Sequence, residues 1–150
     1  MHQHPWRTLR DEFPEWSVVW EELPNEILGL TDYARREIVL DRRHLQGRRR
    51  TTLMHEIWHI RRGDTHACDR ATERWIEQRV ARDLIPVTRL VECAKWATCR
   101  DELAEDLWVD RQILDVRLAH LHPVEWSAMK HMVNSRAGQA CTHQCSGCAQ

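Results

Sequence analysis

Two histidines four residues apart, with a glutamate directly after the first, constrain this chain more than any other feature. They are His55, Glu56 and His59, within Thr51–Gly63, TTLMHEIWHIRRG. At 3.6 residues per turn, positions i and i+4 stack on one face of a helix, so both imidazoles reach one point while Glu56 projects beside it. That is the outline of a hydrolytic zinc site. Shuffling a chain of this composition produces the HExxH pattern only about 0.06 times, so the surrounding residues have to decide its meaning.

Composition narrows the classes open to such a site. A chain of 150 residues with 42% hydrophobic and 30% charged residues is a globular domain, alone or with a small appendage. No run of about 18 apolar residues is present, so no membrane span is expected. The opening MHQHPWRTLRDEF has no apolar signal core, and a cytoplasmic protein is expected. Six cysteines in a chain of this kind read as reduced thiols or metal ligands rather than a disulfide framework. A net charge of −1 makes no global case for nucleic acid or a membrane surface as partner. With eight tryptophans against one Phe and one Tyr, Trp is expected to take the aromatic role in the core.

Along the chain, Trp6, Leu9 and Phe13 fit a short amphipathic helix ended by Pro14. Trp16–Trp20, Ile27–Thr31 and Glu37–Leu40 read as strands, the last two joined by Asp32–Arg36, and a small antiparallel sheet is expected before the motif helix. Residues 42–50, with five arginines, read as a solvated basic face. The motif helix should run from near Leu45 to Gly63, with Leu53, Ile57 and Ile60 toward the core. A second helix follows from about Asp69 to Leu84, ended near Pro86, with Glu73 and Glu77 one turn apart on the same side. Further helices are expected over 87–99, on either side of Trp108–Asp110 within 101–121, and over Trp126–Val133. The predicted class is α+β: a small antiparallel sheet, the HExxH helix and a C-terminal helical segment, a minimal zincin-like plan. Its domain would span 1–133, with the core at about 16–86 and the helical segment at 87–133, followed by a cysteine-containing tail at 134–150.

A catalytic zinc takes three protein ligands and an open position, so a third donor must join His55 and His59. Asp64, His66, Cys68, Asp69, Glu73 and Glu77 follow closely enough to be considered. The extended pattern HExxHxxGxxH does not apply, because Gly63 and His66 each fall one residue late and a helix turns about 100° per residue. Glu73 has the better case, since its helix can pack antiparallel to the first and supply the ligand from a second rigid element. Glu77 would then exchange with it or support a ligating histidine, with Asp64, His66 and Tyr33 as further pocket residues.

Residues 50–59, RTTLMHEIWH, with 73–86, ERWIEQRVARDLIP, resemble the ImmA/IrrE family of metallo-endopeptidases. Residues 103–118, LAEDLWVDRQILDVRL, are similar to a later helical segment of that family, and the resemblance covers roughly 27–122. Trp58 stands where the family usually has Gly, and Ile76 and Glu77 stand where Ala and Asn are common. The resemblance implies Zn²⁺ on His55, His59 and Glu73, Glu56 as catalytic base, and peptide hydrolysis. It further implies a protein substrate, often a helix-turn-helix repressor of phage, mobile-element or stress genes. An extended substrate adding as a strand along Glu37–Leu40 is a further expectation.

Two other classes compete. Asp101–Leu118 has the apolar spacing of a DNA-binding helix-turn-helix, but its six acidic residues and two arginines, with Trp108 at the turn, argue against it. A non-catalytic module held by zinc is the other, and the tail's Cys141, His143, Cys145 and Cys148 offer donors for a second, structural zinc.

Overall fold

The computed structural model describes residues 4–24, 27–64 and 68–136, with side chains through Lys130. His66 and the tail residues Cys141, His143, Cys145 and Cys148 lie outside the described residues. The class is α+β, with seven helices and a three-stranded mixed sheet among the described residues. Helix α1 (Pro5–Glu12) starts on a proline, whose fixed φ suits the first helical turn, and leads into strand β1 (Ser17–Glu21). Strands β2 (Gly29–Asp32) and β3 (Glu37–Asp41) form a hairpin in which the Asp32 carboxylate accepts from the backbone N–H groups of Ala34 and Arg35, both at 3.0 Å.

The sheet is not the expected antiparallel one. Its order is β1-β3-β2, with β1 parallel and β2 antiparallel to β3. The reason is burial. Ile38 and Leu40 are almost fully covered and Val39 is buried on the opposite face, so the most apolar strand takes the centre. This order leaves a gap of roughly 10 Å, two strand spacings, between β1 and β2. Asp41 at the end of β3, a 1% exposed carboxylate, accepts from Leu23 N–H at 3.2 Å and pairs with Arg43. Arg43 in turn donates to the Leu23 carbonyl at 2.6 Å. Because β3 is paired on both sides, Glu37–Leu40 cannot receive a substrate strand; among the three strands the free edges are on β1 and β2.

Helix α2 (Gln46–Arg62) carries the motif and is the shared wall of two cores. Leu53 and Ile57 pack with Leu9, Ile38 and Leu40 on the sheet side, while Met54 joins a helical core built on Ile76, Val80, Leu84, Leu90 and Leu114. That helical core comes from α3 (Arg70–Leu84), α4 (Val87–Ala94), α5 (Arg100–Leu107), α6 (Arg111–Ala119) and α7 (Pro123–Arg136). Helix α4 stops five residues before the expected end, and α7 starts earlier than expected and continues to Arg136, past the predicted boundary of the tail.

The basic run is not simply a solvated face. Arg50 is 4% exposed and donates at 3.0 Å to the carbonyls of Leu107 and Trp108, where the unpaired C-terminal carbonyls of α5 need donors. The tryptophans are not core residues either: none of the eight is buried. They lie at the margin, several under cations, as with Arg61 4.9 Å from the Trp58 ring centre and Arg79 4.8 Å from that of Trp75. No helix among the described residues is long and apolar enough to cross a membrane.

Candidate metal centre

Three donors converge where α2 meets α3. His55 Nε2 lies 3.1 Å from His59 Nε2 and 3.1 Å from Glu73 Oε2, and His59 Nε2 lies 3.7 Å from Glu73 Oε1. Ligands about 2.0–2.2 Å from one tetrahedral zinc stand roughly 3.3–3.6 Å apart. Two neutral imidazole nitrogens and a carboxylate at these separations therefore fit such an ion. Burial and the neighbouring His59 lower the pKa of His55, with Glu73 opposing, which favours the neutral imidazole that a metal needs.

Local chemistry explains why the three meet. The i, i+4 spacing brings the imidazoles to one face of α2, and Trp58, on the side of the helix facing α3, locks the pair of helices together. Its ring meets Trp75 edge-on at 5.5 Å, and its indole N–H donates to Asp83 at 3.0 Å. Trp58 thus fills the joint between helices rather than the cleft. At the start of α3, the Asp69 side chain accepts from Thr72 N–H at 2.7 Å, fixing the turn that carries Glu73.

Gly63 sets the third element. Its φ of 73° is the left-handed conformation that glycine adopts without a Cβ penalty, and it folds the chain back so that Asp64 N–H reaches the His59 carbonyl at 3.1 Å. The Asp64 carboxylate then sits 3.3 Å from His59 Nδ1. A carboxylate can only accept there, so Nδ1 carries the proton and Nε2 keeps its lone pair for a metal. Burial alone would raise the Asp64 pKa, but hydrogen bonds from Arg62, Cys68 and His59 hold it below the usual carboxylate range. The Cys68 sulfur lies 3.6 Å from His59 Nδ1, and burial followed by Asp64 pushes its thiol pKa up.

Glu56 stands apart from the donor set. It is 8% exposed, and Thr31 on the edge strand β2 donates to its Oε2 at 2.8 Å. Burial raises its pKa, against the opposing effects of Thr31 and His59. Strand β2 can approach this closely because Gly29 faces α2; a Cβ there would fall 2.6 Å from Thr52 Cγ2. Tyr33, beyond the end of β2, packs edge-on against Trp16 at 5.4 Å. Its hydroxyl is buried with no hydrogen-bond partner among the described residues, and burial, then Asp64 and Glu56, push its pKa up to about 12.

A cleft of about 230 Å³ opens onto His55 and Glu56, with Thr51, Thr52 and Glu77 in its lining. Glu77 therefore belongs to the cleft, while the support of a ligating histidine assigned to it is provided by Asp64. Thr31 escaped the sequence reading because 25 residues and a strand pairing separate it from Glu56. Asp64 carried a usable signal, a carboxylate directly after the helix-ending glycine. The two arginines of the helix-turn-helix alternative are committed elsewhere. Arg117 is 3% exposed, donating to the Ile85 carbonyl and pairing with Glu125, and Arg111 is paired with Asp101 and Asp115. Comparison of the chain with family models, with curated proteins and with solved structures found no match.

Proposed function

We propose that the chain is a zinc-dependent endopeptidase, with His55, His59 and Glu73 holding the metal and Glu56 moving the proton. The observation that carries this reading is Glu56 itself, a buried carboxylate outside the three converging donors that opens onto the cleft. A zinc that only held the fold would be closed by four protein ligands and have no use for it. When bound, zinc polarises the scissile carbonyl and acidifies water, whose pKa falls from about 15.7 toward about 7.

The chain's own residues do the rest. With Thr31 on Oε2, Glu56 accepts the proton of the attacking water at Oε1 and delivers it to the leaving amine. Asp64 keeps His59 in one tautomer and orientation.

The resemblance of RTTLMHEIWH and ERWIEQRVARDLIP to ImmA/IrrE peptidases supports a cytoplasmic protein substrate, a helix-turn-helix repressor, rather than direct action on nucleic acid. The test pairs metal analysis with a cleavage assay on the repressor encoded nearby. Glu56→Gln should keep its zinc while kcat falls by about 10²–10⁴. Undiminished cleavage by that variant would leave the non-catalytic, zinc-held module as the better account.

A further inference from the structure

The cleft beside Glu56 carries information about what it accepts. Its volume of about 230 Å³ is below the roughly 300–1,000 Å³ of sites that enclose a whole small molecule, and suits one long side chain. Ile27, Leu28 and Ile113 supply apolar wall, and Glu77 and Asp110 supply two carboxylates besides Glu56. No Lys or Arg is among the described residues lining it, although the chain has 22 of them. Asp110 is committed to capping α6, accepting from Ile113 N–H at 2.9 Å. Among the described residues Glu77 has only a neutral partner there, Gln112, at 3.3 Å. An apolar passage with an uncompensated carboxylate matches an aliphatic stem that ends in a cation.

We propose that this cleft receives a lysine or arginine side chain of the substrate, with Glu77 as its charge partner, so that hydrolysis falls beside a basic residue. The inference rests on the peptidase reading above, and names the substrate class of that same site. Glu77 is a specificity-determining residue, distinct from Glu56 and from the metal ligands.

The experiment offers the zinc-loaded full chain pairs of peptides that differ only in lysine against norleucine at each position around the cleaved bond. At one position lysine should be preferred by about 10-fold in kcat/KM. Glu77→Gln should bring that ratio close to one, and Glu77→Lys should turn the preference toward Asp and Glu. Cleavage that favours neither lysine nor arginine anywhere, or a ratio unmoved by Glu77→Gln, overturns the inference and leaves the peptidase reading standing. If no peptide is cleaved, the peptidase reading falls and the cleft is judged by binding to the Glu56→Gln chain. There the lysine peptide should bind about 10-fold tighter than its norleucine twin, and the Glu56→Gln/Glu77→Gln double variant should lose the difference. Equal binding of the twins overturns the inference.

Discussion

Two of the cavities that border helix α2 differ in the opposite sense to their sizes. The larger, about 680 Å³, lies at the N-terminal end of the helix between Leu45 and Trp108, with Arg43, Arg48 and Glu105 in its lining. The smaller, about 230 Å³, lies along the motif and holds His55 and Glu56. The larger cavity has space and apolar wall but no converging metal donors among its described residues. In the smaller, Glu56 is placed by Thr31, and the adjoining His59 by Asp64. Preorganised chemistry, not volume, is what favours the smaller as the proposed reaction site.

The contrast is sharpest at the carboxylates. On the proposed reading, Glu73→Ala should lower zinc affinity by more than about 100-fold and abolish turnover, since it would remove a ligand rather than its support. Glu105→Ala, at the larger cavity, should leave both within about twofold. Metal titration with a chelating dye reads both variants, and zinc retained by Glu73→Ala would break the assignment. Asp64→Asn comes next, with a loss of roughly 10- to 100-fold in zinc affinity, because the amide can present a donor where His59 needs an acceptor. An unchanged affinity would reduce Asp64 to a neighbour.

A smaller effect tests the wall that both cavities share. Asp110 lines each of them and caps α6, and α6 is held down by Arg117 on the Ile85 carbonyl and on Glu125. Arg117 depresses the Glu125 pKa to about 2, so the pair's contribution is fully present above the ordinary carboxylate range near 4.5 and is lost as pH falls toward 2. After discounting for solvent screening, wild type should exceed Glu125→Gln by about 1–2 kcal/mol in urea unfolding at pH 6. That advantage should vanish near pH 2, and a pH-independent gap would refute the linkage.

The smallest effect belongs to the larger cavity alone. Trp108 takes a φ of 58° at the C-terminus of α5 while 68% exposed, a conformation that costs roughly 1 kcal/mol for a residue with a Cβ. Trp108→Gly should raise stability by about 0.5–1 kcal/mol in the same assay and leave turnover unchanged. A fall in turnover would move function toward the larger cavity.

The local features of the site were legible residue by residue. His55 and His59 share a helix face because their spacing is nearly one turn, Gly63 ends that helix, and Asp69 starts the next, which carries Glu73. Each of these depends on interactions within about four residues. The arginines and tryptophans were misread for the opposite reason. Arg50 is buried because carbonyls 57 and 58 residues away need donors, and Trp58 leaves the core for a joint with Trp75 and Asp83. No local pattern carries that information.

The sequence by itself determined the donor chemistry and the two helices that bear it, since both follow from helical periodicity and capping over a few residues. Tertiary structure alone decided that β3 takes the centre of the sheet and β2 an edge, that Thr31 and Gly29 face α2, and that Glu77 and Asp110 meet in one cleft. Those placements depend on which long-range pairings bury the most apolar surface, and several residues of equal local merit compete for each. Only the assembled cores on either side of α2 settle that competition.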